Sequence, residues 1–457
     1  MEEELNKGLT LLKKGQKGLV HAVFSRMGLI LLLLVLHVLL LFSAFRWFEN
    51  FLPHIYGGAV IFTVGMVLYL LNSRMDPSAK ITWLIVVMLL PVFGALLFWY
   101  TQSDIGHRAL KDRLNRLIAQ TRDSIPQSAQ VMERLAEEEP GAAALARYIG
   151  RTGCYPAYDK TAVTYFPLGE DKWAEMLRQL EQAQHFIFME YFIVDEGLMW
   201  GRILEILARK AKEGVDVRVM YDGTCEFSTL PHDYPKRLRE LGIQCKMFAP
   251  VTPFLSTHYN YRDHRKILVI DGHTAFNGGV NLADEYINHI EKHGHWKDTA
   301  VMLKGEAVRS FTLMFLQMWN IDEKEPEFDR FLAYPARTPE GTAGYVIPYA
   351  LAMTHYASLL DSGVKIYEYT PGFVHAKVFV CDGREAVVGT INLDYRSLYH
   401  HFECATYLCG VPCIPQIEED YQATLQQCRQ VTPQTMREEK LSRKLTGYLL
   451  KALAPLL

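Results

Sequence analysis

The chain has 457 residues, which is long enough for a membrane region followed by two core-forming domains. Its 48 basic and 51 acidic residues give a formal net charge of −3, so it lacks the overall basic field that nucleic-acid-binding proteins use. The eight cysteines contain neither a Cys-x-x-Cys pair nor a zinc-ligand spacing. This pattern favours reduced thiols over a disulfide framework or a zinc module.

Three long, uncharged and apolar runs dominate the first quarter of the chain, at Gly28–Phe45, Ile55–Ser73 and Ile81–Ser103. Each approaches or exceeds the roughly 20 residues that a transmembrane helix needs. We therefore expect an N-terminal α-helical membrane region over residues 1–105. Lysines and arginines flank it on both sides, so the positive-inside rule leaves open whether two or three helices cross.

Residues 106–160 predict a linker of amphipathic helices over the membrane surface, broken at Pro126 and Pro140. From residue 161 onward, helical and strand patterns alternate, which predicts an α/β fold with a mixed sheet flanked by helices. The predicted elements are helices at Asp171–Gln182, Trp200–Glu213 and Tyr234–Leu241, and strands at His185–Ile193, Val215–Tyr221 and Cys245–Phe248.

One motif with the residues of a catalytic site occurs twice. The first copy contains His264, Lys266, Asp271 and Asn281, and the second contains His375, Lys377, Asp382 and Asn392. Every matched residue in the second copy lies 111 positions after its partner. A fixed offset of this kind identifies an internal repeat, and we expect one repeat over residues 161–325 and a second over residues 326–457.

Each copy is typical of a strand that ends in an Asp-Gly turn. Side chains two positions apart in a strand share a face, so His264 lies beside Lys266, and His375 beside Lys377. Two such half-sites place two imidazoles and two ammonium groups around one anion, which suits attack on a phosphodiester. A structural role for the histidines and a metal site are the alternatives, although a lysine beside each histidine would repel a cation.

The doubled pattern H-x-K-x4-D-x6-G-[GST]-x-N resembles the phospholipase D superfamily and, with the apolar N-terminus, its bacterial cardiolipin synthase family. The resemblance implies two phospholipase D-like repeats that share one active site and need no cofactor and no metal. One histidine would form a phosphohistidine, and the other would act as general acid and then as base. By analogy we assign the attack to His264 and the proton transfer to His375.

The resemblance also implies roles for the other motif residues. Lys266 and Lys377, together with Asn281 and Asn392 as phosphate-binding residues, would hold the non-bridging oxygens. The motif aspartates, Asp271 and Asp382, are included among the catalytic residues, with a structural role in the turn as the alternative. Two acids outside the motif are expected to orient the imidazoles, as in catalytic triads. These are Asp298, downstream of the first motif, and Glu403, downstream of the second.

The two repeats are unequal ahead of their motifs. In the second repeat a strand at Gly344–Tyr349, a helix at Tyr356–Gly363 and a strand at Val364–Tyr369 lead directly to His375. Compared with the first repeat, one helix and one parallel strand are missing near Ala350. Loss of a strand leaves unpaired edge groups, so we expect an internal deletion that weakens the second repeat.

The function that the resemblance implies is cardiolipin synthesis from two phosphatidylglycerol molecules, with release of glycerol. The expected partners are phosphatidylglycerol and other membrane phospholipids rather than nucleic acid. The expected location is the bacterial cell membrane, with the chain embedded as a multi-pass protein, and the sequence does not determine the oligomeric state. Two alternatives remain: a membrane-bound phospholipase D-type phosphodiesterase, and a deletion variant with impaired catalysis.

Overall fold

The computed structural model describes residues 52–73, 77–102, 105–250, 261–335, 342–349, 365–394 and 401–432, with a few isolated residues besides. These residues divide into two compact units. One unit contains the helices up to residue 108, and the other contains both repeats together with the helices that precede them. The predicted run Gly28–Phe45 lies outside the described residues apart from three isolated positions.

The N-terminal unit contains helices α1 (Leu52–Asn72), α2 (Pro77–Leu89) and α3 (Pro91–Gln102). The predicted run Ile81–Ser103 is therefore interrupted, because Pro91 cannot donate the backbone hydrogen bond that would continue α2. Gly94 brings the two helices close together, since a Cβ atom there would lie 2.8 Å from the carbonyl oxygen of Val86. Across the described residues, no helix has both the length and the apolar character needed to span a membrane.

Three helices precede the first repeat: α4 (Ile105–Gln120), α5 (Ala129–Glu138) and α6 (Pro140–Gly153). Their predicted breaks are confirmed, and Ser128 caps α5 by accepting a hydrogen bond from the Val131 N–H. The apolar faces of α5 and α6 are buried against the sheet of the second repeat rather than turned to a membrane surface, which corrects the expectation for these faces. The cluster contains Val131, Leu135, Ala143, Ile149, Tyr345, Ile347, Tyr407 and Cys409.

The sheet of the first repeat is built from seven described strands. In chain order these are β1 (Thr161–Phe166), β2 (Phe186–Tyr191), β3 (Asp216–Asp222), β4 (Gln244–Phe248), β5 (Lys266–Ile270), β6 (Thr274–Gly278) and β8 (Ala300–Gly305). Their spatial order is β1-β8-β6-β5-β2-β3-β4. The pairs β2–β3 and β3–β4 are parallel and the others antiparallel, which confirms the predicted mixed sheet.

Helices cover both faces of this sheet. The face that carries Ile187 and Met189 packs on three helices, and the face that carries Phe186 and Phe188 packs on another. The first three helices are α7 (Gly169–Glu181), α8 (Leu198–Lys212) and α10 (Tyr234–Glu240), which follows the short α9 (Cys225–Ser228); the fourth is α11 (Val308–Trp319). Strands with both faces buried are apolar on both sides, as the continuous run Ile267–Ile270 shows.

The sheet of the second repeat is shorter. Its order is β12 (Val378–Cys381), β13 (Glu385–Gly389), β14 (Ala405–Cys409) and β9 (Tyr345–Tyr349), and all three pairs are antiparallel. The motif offset makes β12 the counterpart of β5. In the first repeat β2, β3 and β4 continue the sheet beyond β5, whereas among the described residues the second sheet ends at β12, where Phe379 is 41% exposed.

The segments around this edge differ from expectation. The predicted strand before His375 is present as β10 (Ile366–Tyr369), but it pairs with β15 (Cys428–Val431), which follows helix α13 (Ile414–Leu425). The predicted helix Tyr356–Gly363 and the junction near Ala350 lie outside the described residues. A short helix, α12 (Asp329–Leu332), follows α11 in the first repeat, and its Phe331 is buried against Phe186 and Phe188.

Candidate active site

Each motif begins against a segment of the other repeat. Strand β11 (Gly372–Val374) pairs in parallel with β7 (His295–Lys297), and the His375 N–H donates to the Lys297 carbonyl over 2.8 Å. The arrangement recurs at the other motif, where the His264 N–H donates to the Phe402 carbonyl over 2.9 Å. Lys297 and Phe402 immediately precede the two acids that were expected to orient the imidazoles. The backbone pairing therefore brings each motif histidine to the acid of the opposite repeat.

The histidine–carboxylate pairs are consequently crossed. His264 Nδ1 lies 2.9 Å from Glu403 Oε2, and His375 Nδ1 lies 2.7 Å from Asp298 Oδ2. Both carboxylates are buried, while the His264 side chain is 6% exposed and that of His375 is 16% exposed. A carboxylate at Nδ1 fixes the tautomer and leaves Nε2 available for chemistry. One buried and one more accessible imidazole thus face the same site.

The residue after the first motif glycine differs between the repeats to suit the acid beside it. A Cβ atom at Gly279 would lie 2.1 Å from Asp298 Oδ1, so the first repeat has room only for glycine. At the equivalent position of the second repeat, Thr390 Oγ1 donates a hydrogen bond to Glu403 Oε2 and accepts one from the Cys404 N–H. Glu403 is therefore held by a side chain of its own repeat, whereas Asp298 occupies the space that a side chain at position 279 would need.

Burial controls the charges of the two pairs. Burial, reinforced by the Lys266 ammonium, lowers the pKa of His264 to about 3, and burial also lowers the pKa of His375. Burial opposes the charge of Asp298, but His375 and Lys377 outweigh it and hold the pKa of this carboxyl below its usual range. In the same way, contacts with histidine and Lys266 hold the pKa of Glu403 low despite burial. Two neutral imidazoles and two carboxylates result at neutral pH.

Each motif lysine lies beside the histidine of its own motif, as the spacing predicts. Lys266 Nζ donates to the His264 carbonyl and Lys377 Nζ to the His375 carbonyl, which holds each ammonium beside its histidine. Burial lowers the pKa of Lys266 to about 7 and that of Lys377 to about 8, although Glu403 and Asp298 oppose the shift. The charge of Lys266 also acts on His375, so the two half-sites share one electrostatic environment.

The two motif asparagines have different surroundings. Asn281 is buried, accepts from the Ile193 N–H over 3.1 Å and donates to the Tyr286 hydroxyl over 2.8 Å, so it fastens the loop after β6 to the end of β2. Asn392 is partly exposed, and its side chain forms no hydrogen bond with any described residue. The phosphate-binding role predicted for both therefore suits Asn392 better.

The motif aspartates lie at the far end of their strands from the histidines. Asp271 follows β5, and its carboxylate accepts three backbone hydrogen bonds of 2.7–2.8 Å from Gln184, His185 and Phe186 at the start of β2. Asp382 adopts the same left-handed turn, with a φ of 51°, but is exposed. Because a strand separates each aspartate from its histidine, neither suits the catalytic role expected for it, and Asp271 is structural.

Sequence reasoning missed two residues that contact the Glu403 pair. One is Thr390, which was seen only as a variable motif position. The other is His401, whose ring centroid lies 5.4 Å from that of His264 and whose Nδ1 lies 3.6 Å from Glu403 Oε1. The position of His401 could have been predicted from its spacing, because a residue two positions before an acid lies on the same face of an extended segment.

Two family models match parts of this chain. The family described as "Cardiolipin synthase, PLD-like domain" matches residues 176–319 and 346–425, and the family described as "Phospholipase_D-nuclease N-terminal" matches residues 60–100. The solved structure of the phosphatidylserine synthase of Haemophilus influenzae covers 65% of this chain and 95% of its own, at 12% identity and a TM-score of 0.47.

Two curated relatives cover most of the chain. An uncharacterized protein of Streptococcus mutans is 48% identical over 461 aligned positions, which span 86% of this chain and 100% of the relative. A cardiolipin synthase of Alkalihalophilus pseudofirmus is 29% identical over 482 positions, which span 90% of this chain and 95% of the relative.

The match to the family differs in length between the two repeats, and the shortening near Ala350 stays a prediction. The positions aligned with the Streptococcus protein outnumber the residues of this chain that they cover, so part of that relative has no counterpart here. The family match in the second repeat, 346–425, is also much shorter than the match in the first, 176–319. The chain belongs to the phospholipase D superfamily and is a phosphatidyltransferase with the cardiolipin synthase type of domain.

Proposed function

We propose that the protein is a cardiolipin synthase that transfers a phosphatidyl group between two phosphatidylglycerol molecules and releases glycerol. The observation that carries the proposal is the pair of crossed histidine–carboxylate contacts, His264 with Glu403 and His375 with Asp298, beside two buried lysines. The named activity of the Alkalihalophilus relative supports the choice of lipid.

In the first step Nε2 of neutral His264 attacks the phosphorus of the donor lipid. The N–P bond forms as the bond from phosphorus to the glycerol oxygen breaks, and Nε2–H of protonated His375 gives its proton to that oxygen. In the second step neutral His375 removes the proton from a headgroup hydroxyl of the second lipid, whose oxygen attacks phosphorus. The N–P bond breaks, cardiolipin forms, and both histidines return to their starting states.

The environments of the two histidines support this division of roles. His264 is the more deeply buried, and its low pKa keeps it neutral and nucleophilic. His375 is the more exposed, so the negative charge of a bound phosphodiester can restore its proton for the leaving glycerol. The two titrations are coupled through the lysines and belong to the site as a whole.

The developing charge on the phosphoryl oxygens requires positive groups that are already in place. Lys266 and Lys377 supply them from the two half-sites, and Asn392 offers a neutral donor. We assign no metal to the reaction, because the two lysines provide the positive charge that the phosphate needs.

A membrane location fits a lipid substrate, and we propose that the N-terminal unit anchors the chain as a multi-pass region. Its helices present large apolar side chains outward, with Ile61 75% and Leu89 74% exposed, as expected for surfaces that contact lipid. The match of residues 60–100 to the N-terminal family supports the same location.

The deciding experiment incubates the detergent-solubilised full chain with labelled phosphatidylglycerol in EDTA, beside His264→Ala and His375→Ala. We expect cardiolipin and glycerol from the unmutated chain and neither product from the variants. Phosphatidic acid in place of cardiolipin would indicate a phosphodiesterase that uses water as acceptor.

The short second sheet favours one other candidate, an enzyme impaired by its deletion. In that case the unmutated chain would give no phosphohistidine and no product, although its melting would show that it is folded. Insertion near Ala350 of a helix and a strand like those that precede the first motif would then restore the product.

A further inference from the structure

The Glu403 carboxylate has a second imidazole beside it that the proposed reaction does not use. One oxygen, Oε2, is taken by His264 and Thr390. The other, Oε1, is buried and has no hydrogen-bond partner among the described residues; Nδ1 of His401, 3.6 Å away, is likewise buried and unsatisfied. A small movement would join these two atoms, and leaving them apart is costly.

The fold places this imidazole within reach of the carboxylate. His401 stands two residues before Glu403, and Trp296 stands two residues before Asp298, so the two occupy equivalent places in the two repeats. Each ring lies beside the histidine of the opposite repeat: the Trp296 ring is 5.6 Å from His375, and the His401 ring is 5.4 Å from His264. An indole cannot accept or carry a proton, whereas an imidazole can do both.

We propose that His401 is a positioning residue that holds Oε1 of Glu403, so that one carboxylate serves both imidazoles and stays ionised while His264 attacks phosphorus. This inference rests on the proposed function and deepens it. When the N–P bond forms, positive charge develops on the His264 ring, and its Nδ1–H must remain on the ring rather than pass to Glu403. A second donor on the carboxylate lowers its basicity and holds that proton on His264.

Other charged groups act on the same cluster and must stay unchanged in any test. Lys266 affects both His264 and Glu403, and Lys377 affects Glu403 from the second repeat. His401 itself lowers the affinity of His264 for protons. Removal of His401 therefore makes Nε2 of His264 more basic by two routes. A more basic Glu403 draws the Nδ1 proton toward itself, and the loss of the neighbouring imidazole removes an effect that disfavours a proton on the ring.

The test compares His401→Phe, which keeps the ring but removes both nitrogens, with His401→Gln, which keeps an N–H donor for Oε1. The first readout is the rate of phosphohistidine formation with phosphatidylglycerol in the full chain. We expect a fall of about 10-fold or more in kcat for His401→Phe with KM changed less than about 2-fold, and recovery to within about 3-fold for His401→Gln.

The second readout needs no activity, which separates this inference from the proposed function. The rate at which diethyl pyrocarbonate modifies His264, followed by mass spectrometry against pH, reports the neutral imidazole. We expect its midpoint to rise by about one pH unit in His401→Phe and to stay near the wild-type value in His401→Gln. As the control, His232→Phe removes an exposed histidine that pairs with Glu226 outside the site, and leaves both readouts unchanged.

Three results would overturn the inference. An unchanged midpoint and rate in His401→Phe would show that Oε1 does not need this partner. Equal loss of activity in His401→Gln and His401→Phe, with normal melting, would make His401 a proton-transfer group instead. Because His264, His401 and Glu403 have ligand atoms within 4.8 Å of one another, a loss of wild-type activity in EDTA that Zn²⁺ restores would make them metal ligands.

Discussion

The aspartates that close the two motifs have the same sequence position and the same backbone, with φ of 51° at both Asp271 and Asp382. Their surroundings nevertheless give the two side chains different structural roles. Asp271 accepts three N–H groups at the start of β2, while Asp382 has no such strand beside it among the described residues. The motif aspartate thus anchors the neighbouring strand, and it stabilises the fold only where that strand is present.

This difference predicts unequal effects on stability. Asp271→Ala removes the acceptor of three backbone donors, and we expect it to lower the free energy of unfolding by about 2 kcal/mol. Asp382→Ala, the matched control, should change it by less than about 0.5 kcal/mol, as for other exposed positions. Thermal melting of the solubilised full chain measures both. Equal losses would show that Asp382 has a partner equivalent to β2.

The motif lysines predict a limit to activity at alkaline pH. Burial lowers the pKa of Lys266 to about 7 and of Lys377 to about 8, so the ammonium charges are lost as the pH rises through this range. We expect kcat/KM to decline from about pH 7–8 upward, far below the pH at which an exposed lysine loses its proton. We expect kcat to decline only at higher pH, because the bound phosphate favours the protonated form of both lysines. A profile that stays flat to about pH 10 would contradict the assignment of these lysines to the phosphate.

Helices α5 and α6 lie in the predicted linker, but they pack against the sheet of the second repeat. They bury one face of the second sheet, and Leu135 at the centre of this contact is fully buried. The opposite end of that sheet is open at β12 among the described strands. The motif sequences are consistent with this open edge. Arg265 forms an ion pair with Glu190 on β2, whereas the equivalent residue of the second motif is Ala376, which needs no partner on a neighbouring strand.

The helices should therefore stabilise the fold rather than bind lipid. We expect Leu135→Ala to lower the free energy of unfolding by roughly 2–5 kcal/mol through the cavity that it leaves. Glu137→Ala on the exposed face of α5 is the control and should be nearly neutral. If Leu135→Ala instead melted like the unmutated chain but weakened its association with vesicles, the membrane-surface placement would be right after all.

The candidate active site is formed between the two repeats. Neither repeat contains a complete histidine–carboxylate pair, because each acid serves the histidine of the other. An advantage of the exchange is that the two halves must be docked before either imidazole is oriented. The predicted shortening of the second repeat would spare these pairs, since every residue that makes them lies on segments that both repeats retain.

A substrate with a good leaving group tests whether each carboxylate serves the histidine of the other repeat. A p-nitrophenyl phosphodiester needs no proton on its leaving oxygen, so we expect it to restore the first step, seen as an initial burst of p-nitrophenolate, in His375→Ala and Asp298→Asn. The second step, which needs His375 as base, should stay slow in both variants. The substrate should not restore His264→Ala or Glu403→Gln, which lose the nucleophile or its orientation and fall by about 100-fold or more. If Asp298→Asn grouped with His264→Ala instead, each acid would serve its own repeat.

The local features of this protein can be predicted from its sequence. The motif strands, the shared face of each histidine and lysine and the mixed sheet of the first repeat all follow from periodicity. The repeat itself follows from the constant offset between the motifs, and its inequality is predicted from the different number of elements ahead of each motif. Each of these features depends on neighbouring residues or on the similarity of one part of the chain to another.

Which functional groups come into contact depends on the packing of distant segments. The crossed pairs, the fastening role of Asp271, the burial of α5 and α6 and the place of His401 all arise from contacts between residues far apart in the chain. A strand pattern fixes which side chains share a face, but it does not specify the partner strand. The exchange of acids follows from two backbone pairings, β7 with β11 and the His264 segment with the Phe402 segment, which no local pattern encodes.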